Sequence, residues 1–177
     1  MEQKLKIHSW PTISIIVRTK NEEYWIGHCL KSISTQDIDA NIEIIVVDNE
    51  SSDNTVDKAK RYGATKVVTI KDYLPGKALN VGIRASLGEY IVCLSAHCIP
   101  KGTQWLRNLY DSLRGNLKLA GVYGKQIPLP YTADADKRDL IITFGEDQKV
   151  QVRDYFFHNA NSMLSREIWN QFPFDEL

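Results

Sequence analysis

Cysteine is scarce. There are three, Cys29, Cys93 and Cys98, with no CxxC spacing. An odd number cannot all pair internally, so no disulfide framework is expected, and reduced thiols in a cytoplasmic protein are. An excess of charge of one sign is also missing. Lys plus Arg and Asp plus Glu both number 22, a formal net charge of zero. That balance supplies no global field for nucleic acid and no basic helix for a membrane surface. No apolar run approaches the roughly 20 residues of a membrane-spanning helix. The opening MEQKLKIHSW lacks the apolar centre of a secretory signal. Three nucleotide and nucleophile signatures are absent too: no GxGxxG follows the first apolar run, and neither GxxxxGK[ST] nor GxSxG occurs. These absences argue against a dinucleotide dehydrogenase, a P-loop NTPase and an elbow-type serine hydrolase.

The chain that remains has 177 residues, 43% hydrophobic and 25% charged, which fits one globular domain with a substantial core. Its first half alternates between two periods. ISIIVRT (13–19), IEIIVVD (42–48) and YIVCL (90–94) are short apolar runs that read as buried strands, the first consistent with burial on both faces, and KVVTI (66–70) reads as a further strand. Between them lie segments with helical spacing. The first has Asn21 as a cap, Glu22 and Glu23 in its first turn, and Trp25, Ile26, Cys29, Leu30 and Ile33 along one face. A short helix carries Val56, Ala59 and Tyr62 and stops at Gly63. KALNVGIRASLG reads as a helix ended by Gly88, and TQWLRNLYDSLRG as another. Strand–helix alternation of this kind predicts an α/β fold with a mostly parallel open sheet and helices on both faces. Ligand sites in such sheets lie at the C-terminal strand ends, here near 19–22, 48–50, 72–77 and 95–97. The second half is less regular. GVYGKQIPLPYTADADKRDL reads as a loop, and YFFHNANSMLSREIW as an aromatic strand followed by a helix.

Several residues carry chemistry in this frame. Asp48 closes an apolar strand, where an acid accepts from a ribose hydroxyl or a base N–H; a turn aspartate is the alternative. His97 and Cys98 are adjacent, so on an extended chain they point opposite ways and do not form a nucleophile–base pair. His97 alone is a metal ligand or a loop histidine. Cys93 sits within its strand as core packing. Trp25, Trp105 and Trp169 read as core, with a sugar-stacking platform as the alternative. DADKRD (134–139) reads as a solvated acidic loop in preference to a metal cluster.

The motifs in order resemble the family 2 glycosyltransferases, whose catalytic domain has the GT-A fold. The resemblance rests on VRTKNEE, CLKSISTQ, IVVDNESSDNT, GKALNVGIRASLGEYI, NANSMLSRE and FPFDE, and it runs from Ile13 to Leu177. It implies a single domain over 1–177, with a nucleotide-binding half at about 12–100 and an acceptor-side half at about 101–177. It implies transfer of a sugar, with inversion, from a nucleoside diphosphate donor to a saccharide or lipid-linked acceptor. No nucleic-acid partner is expected. Thr19, Asn21, Glu22 and Asp48 are then expected around base and ribose. Lys77 is the expected pyrophosphate cation, Ser95 and His97 line the centre, and Asn159 and Asn161 face donor sugar or acceptor. Asn80 is expected to brace a loop.

Two departures stand out. The family's D-x-D position reads Ser95-Ala96-His97, so both acids are replaced. A divalent metal held through His97 would be Mn²⁺ in preference to Mg²⁺, because a nitrogen donor suits the softer ion. The family's E-D pair, with its general base, would fall beyond Leu177, so no catalytic base is expected within 1–177 and the catalytic domain is expected to continue past it. A non-catalytic nucleotide-sugar or glycan-binding relic of the fold is the alternative function. The nucleotidyltransferase reading lacks its Gly-rich basic loop. Location is expected in the cytoplasm or at the inner membrane face.

Overall fold

A computed structural model describes residues 10–116, 118–153 and 156–177. The reading of the N-terminal segment 1–9 and of Tyr155 in the expected aromatic strand lies outside these residues. The elements are β1 (Thr12–Thr19), α1 (Ile26–Ser34), β2 (Asn41–Asp48), α2 (Thr55–Arg61), β3 (Lys66–Thr69) and α3 (Pro75–Arg84). They continue with β4 (Tyr90–Ser95), α4 (Trp105–Arg114), β5 (Gly121–Tyr123), α5 (Asp134–Phe144), β6 (Asn161–Ser165) and α6 (Arg166–Gln171). The strands form one sheet in the order β3-β2-β1-β4-β6-β5. The first four are mutually parallel, and β6 runs antiparallel to both β4 and β5.

The unbroken apolar strands are buried on both faces, and alternate side chains feed two cores. Ile13, Ile15, Val17, Ile44, Val46, Val92 and Leu94 pack under α1, α2 and α4. Ile16, Ile45, Val47, Ile91 and Cys93 pack under α3 and α6. Each fully buried Ile, Leu or Val contributes about 1.5–3 kcal/mol relative to exposure, so these strands hold the sheet at the centre of the domain. On α1 the buried positions are Ile26, Cys29, Leu30 and Ile33, and on α4 they are Leu106, Leu109, Tyr110 and Leu113. Both sets follow helical spacing. On α3, Gly82 lies flush on the sheet; a Cβ there would sit 2.7 Å from Val47 Cγ2 and collide with Ile16 as well.

The structure differs from the sequence expectations at four places. Helix α1 begins at Ile26, not Asn21, and Asn21 is in the left-handed region with φ 52°, so it caps no helix. Helix α3 begins at Pro75 and ends at Arg84, and Gly88 belongs to the turn into β4. The expected loop after residue 120 contains β5, and DADKRD is the start of α5, where Asp134 and Asp136 favour the N-terminal dipole. Phe156 and Phe157 are not in a strand; β6 starts later, at Asn161. The half-buried Glu43 on an otherwise apolar strand also has a role. Its Oε1 accepts from Ser14 Oγ at 2.6 Å and from Gly88 N at 3.0 Å, tying the β1 and β2 pair to the turn before β4.

Candidate functional site

Strand β1 lies between β2 and β4, and the chain builds the sheet outward from it in both directions. This is the topological switch point, where connections diverge and leave a crevice at the C-terminal strand ends. Arg18 and Ser95 are register partners across that edge, as are Thr19 and Asp48 on the other side of β1. A cavity of about 230 Å³ opens there. The end of β1 and its following loop contribute Arg18, Thr19, Lys20 and Glu22. The end of β4 contributes Ser95 and His97, while Asn49 and Tyr73 close the remaining sides. A wider hollow of about 440 Å³ lies at the opposite end of β4, by Glu89, Tyr90 and Arg166. There the Arg166 guanidinium is occupied by Gly88 O, Ile83 O and Ser86 Oγ, fastening the start of α6 to the end of α3 and the turn after it.

The loop after β1 is shaped by the loop after β2. Asp48 accepts from Ser51 N at 3.0 Å and from Ser51 Oγ at 2.5 Å. Ser51 Oγ in turn accepts from Asn21 N at 2.8 Å, and Asn21 Oδ1 accepts from Ser52 N at 2.8 Å. Thr55 Oγ1 accepts from Glu22 N at 2.7 Å, and Asp53 Oδ2 accepts from Glu23 N at 3.1 Å. Asp53 Oδ1 receives both the amide and the hydroxyl of Thr55. Burial alone would push the Asp53 carboxyl up, but the Thr55 hydroxyl and amide, with the Glu23 amide, outweigh it and hold the acid below the usual carboxylate range. The spacing D-x-x-S-x-D-x-T is thus a clamp. Each of its four side chains fastens the backbone of residues 21–23 or a neighbour in the clamp. Asn suits the left-handed turn at 21 because its short polar side chain tolerates positive φ.

Asp48 itself is 2% exposed and stands behind the loop, outside the cavity lining. Thr19 lines the cavity, and its buried hydroxyl has no hydrogen-bond partner. Glu22 also lines it, and His97 Nδ1 lies 2.9 Å from Glu22 Oε1. Lys77 sits on the first turn of α3, 4.0 Å from the exposed Asp72, and is not among the lining residues. Asn159 reaches the site through Arg18, whose Nη2 donates to Asn159 Oδ1 at 3.1 Å. Asn161 is turned away; its Oδ1 accepts from Trp105 Nε1 at 2.8 Å. Asn80 braces as expected: it is buried, accepts from Trp169 Nε1 and Phe174 N, and donates to Phe174 O and Glu176 Oε1.

Two cationic residues escaped the sequence reading. Arg18 was hidden inside an apolar strand, and Lys20 inside a loop motif. In register, Arg18 points across to Ser95, with Nη2 3.4 Å from Ser95 Oγ and Nη1 3.4 Å from Tyr73 Oη. Lys20 Nζ lies 3.3 Å from the Asn49 amide oxygen when that amide also donates to Lys71 O. The only sequence signal for Arg18 is a charged residue where β1 otherwise alternates apolar side chains into two cores.

For a metal, the site offers one carboxylate and one imidazole. Among the described residues no group of three or more His, Cys, Asp or Glu gathers around a common point. Glu22 and His97 therefore fit an ion that takes its other ligands from substrate phosphate and water, as Mg²⁺ and Mn²⁺ commonly do. The three thiols are free. Burial pushes Cys93 up to about 12 and raises Cys98 and Cys29 as well, so none is a ready nucleophile.

The chain has sequence relatives among glycosyltransferases. It aligns with a dolichyl N-acetyl-alpha-D-glucosaminyl phosphate 3-beta-D-2,3-diacetamido-2,3-dideoxy-beta-D-glucuronosyltransferase of Methanococcus voltae, at 32% identity over 123 residues, 63% of this chain and 38% of that protein. It aligns with the glycosyltransferase AglE of Haloferax volcanii at 31% identity, covering 59% of this chain and 36% of that one. The chain therefore spans less than two fifths of the length of these relatives. Its fold matches that of a mannosyltransferase from Pyrobaculum calidifontis solved with GDP-Man and Mn²⁺, with a TM-score of 0.68, 21% identity, and coverage of 93% of this chain and 47% of that one. It also matches glucosyl-3-phosphoglycerate synthase from Mycobacterium tuberculosis, solved with uridine diphosphate, with a TM-score of 0.62, 21% identity, and coverage of 89% and 57%. The mixed six-stranded sheet is thus the GT-A fold that the motifs implied. Residues 14–172 match the model of glycosyl transferase family 2, and the chain belongs to that family.

Proposed function

We propose that this chain is the donor-binding part of a glycosyltransferase that moves a sugar from a nucleoside diphosphate to an acceptor hydroxyl. The observation that carries this is the cavity at the switch point, lined from Arg18 to His97 by the ends of β1 and β4. All of its lining residues fall within 12–100, which supports the assignment of that half to the nucleotide and of 101–177 to the acceptor side. The clamp built on Asp48, Ser51, Asp53 and Thr55 presets the loop carrying Asn21 and Glu22 before any ligand arrives. A preset loop lowers the ordering cost of binding. Thr19 and Glu22 offer hydroxyl and carboxylate to base or ribose, and Asp48 acts on the same loop from behind. Ser95 offers a neutral hydroxyl at the position where the family resemblance expects an acid.

Transfer is read as a single displacement with inversion. The acceptor oxygen attacks the anomeric carbon, the bond to the diphosphate breaks, and a base takes the acceptor proton. That base is not assigned to Asp175 or Glu176. Glu176 is held by Asn80 and Arg84, and Asp175 accepts from Leu177 N. A divalent ion at Glu22 and His97 would neutralise charge developing on the leaving diphosphate, with Mn²⁺ favoured over Mg²⁺ by the nitrogen donor. The name of the Methanococcus voltae relative describes a dolichyl phosphate-linked acceptor, which supports a lipid-linked saccharide as acceptor here.

The test is direct binding. Uridine, thymidine and guanosine diphosphates are titrated calorimetrically into the 177-residue chain with and without Mn²⁺. One of them is expected to bind saturably; no binding by any of the three would overturn the reading.

A further inference from the structure

The cavity contains a cation whose hydrogen bonding is incomplete. The Arg18 guanidinium has five N–H donors. Among the described residues no carboxylate lies within 4 Å of it, although the chain's other ion pairs are of that length or shorter. Its acceptors are all neutral, and three of the four contacts are long: Ser95 Oγ at 3.4 Å, Tyr73 Oη at 3.4 Å and Asn159 O at 3.3 Å, with Asn159 Oδ1 at an ordinary 3.1 Å. Its Nε is buried and has no partner. Beside it stands the Thr19 hydroxyl, on a residue 5% exposed, also without a partner. A half-buried charge with only neutral partners and a buried, unpartnered Nε costs free energy unless an anion completes it. Both orphaned donors lie at the one cavity formed by the parting of β1 and β4.

We infer that Arg18, with Thr19 beside it, is the resident binding group for the donor's diphosphate. The inference rests on the nucleotide-sugar reading above and adds a residue to it. A planar guanidinium matches two phosphate oxygens at once, which a lysine does not. Ser95 is what makes room for this role. It is the register partner of Arg18 and reads as serine where the family resemblance expects an acid. A carboxylate at that distance would pair with the guanidinium and cancel it, whereas a hydroxyl orients it and leaves its charge free. Lys77, expected from the sequence to serve the pyrophosphate, is instead beside Asp72 and outside the cavity. Part of the diphosphate charge is therefore met by the protein itself, and an ion at Glu22 and His97 adds to that without replacing it.

The test uses uridine diphosphate, guanosine diphosphate and inorganic pyrophosphate as probes, titrated into the full 177-residue chain in EDTA and again in Mn²⁺ at fixed salt. The tightest diphosphate is expected to bind wild type in EDTA. Arg18→Met, which keeps the aliphatic stem, is expected to bind it about 10–100-fold more weakly, the range of a lost charge-assisted contact. The matching nucleoside, without phosphate, is expected to bind both proteins alike. Arg18→Lys is expected to fall between them, because charge remains and the fork is lost. Should Arg18→Met fail to fold by circular dichroism, Arg18→Lys carries the comparison. Equal diphosphate affinity in a folded Arg18 variant and wild type would overturn the inference. So would wild-type binding that vanishes in EDTA and returns with Mn²⁺, since the ion alone would then supply the charge. No diphosphate binding by wild type in either condition would instead overturn the donor-site reading itself.

Discussion

Asp48→Ala tests the clamp behind the site. Asp48 is buried, and both of its oxygens are taken by one residue, Ser51. The substitution removes two hydrogen bonds to a charged acceptor, each worth about 1.5–3 kcal/mol when the acceptor is ionised. Ser51 is half-exposed, so water replaces part of that loss. A fall in stability of about 2–4 kcal/mol is expected. For a chain of this length each kcal/mol moves the melting temperature by about 2–4 °C, so the midpoint falls by roughly 6–12 °C at the middle of that range. Ser51→Ala loses one bond to Asp48 and the acceptor for Asn21 N, and is expected to cost about 2 kcal/mol. The two residues form one network, so the double mutant should be less damaged than the sum. The coupling expected from a double-mutant cycle in urea is about 1–2 kcal/mol. Asn21 is held in a left-handed turn by this network, so nucleoside diphosphate affinity should fall in both single mutants. A coupling below about 0.5 kcal/mol, with the stabilities simply additive, would refute the clamp.

Asn80→Ala removes the acceptor of Trp169 Nε1 and both backbone bonds to Phe174, and is expected to destabilise by about 2–4 kcal/mol in urea titration; a loss under about 1 kcal/mol would show that the brace is dispensable. The same variant should raise the Glu176 carboxyl toward its ordinary range, since the Asn80 hydrogen bond is the first cause of its lowering, and NMR titration of that side chain reads it. Asp53 has a folded-state acidity below its unfolded one, so its contribution to stability is present above the unfolded value, near about 3.9, and is lost as pH falls through the folded value. Asp53→Asn should lose stability at pH 7 and show a flatter decline than wild type on acidification, followed by thermal melts; parallel curves would remove Asp53 from the clamp. His97→Ala should abolish whatever extra diphosphate affinity Mn²⁺ confers, and His97→Asp should return a response to Mg²⁺ by restoring an oxygen donor. An unchanged Mn²⁺ increment in His97→Ala would place the ion elsewhere.

Much of this was legible in the chain itself. The apolar runs at 13–19, 42–48 and 90–94 fixed the inner strands, because a segment without a polar face has to be covered on both sides. The helical spacing of Leu106, Leu109 and Leu113 on α4 needed no tertiary information either. The motifs around Asp48 and Asn80 pointed to the family, and the strand ends pointed to the side of the sheet where the cavity lies. Boundaries were weaker, since Asn21 looks like a helix cap yet serves a turn whose partners are about thirty residues away. DADKRD looked like a loop because its acids carry no apolar stripe, and α5 indeed has no buried residue to leave one.

What only the tertiary structure decided are the pairings between distant residues. Asp48 is an acid at a strand end in the sequence, and whether it faces ligand or Ser51 depends on how the following loop folds back. Lys77 and Arg18 are both cations near strand ends. The first lies on α3 beside Asp72, and the second reaches the crevice between β1 and β4. Arg18 meets Asn159 across 141 positions of sequence, and Trp105 takes Asn161 across 56. Side-chain period specifies which face of an element is covered, because burial is a local average over neighbours in the same element. Which polar groups find each other, and which donors are left without a partner, depends on the order and register of strands. Those are set by the whole sheet.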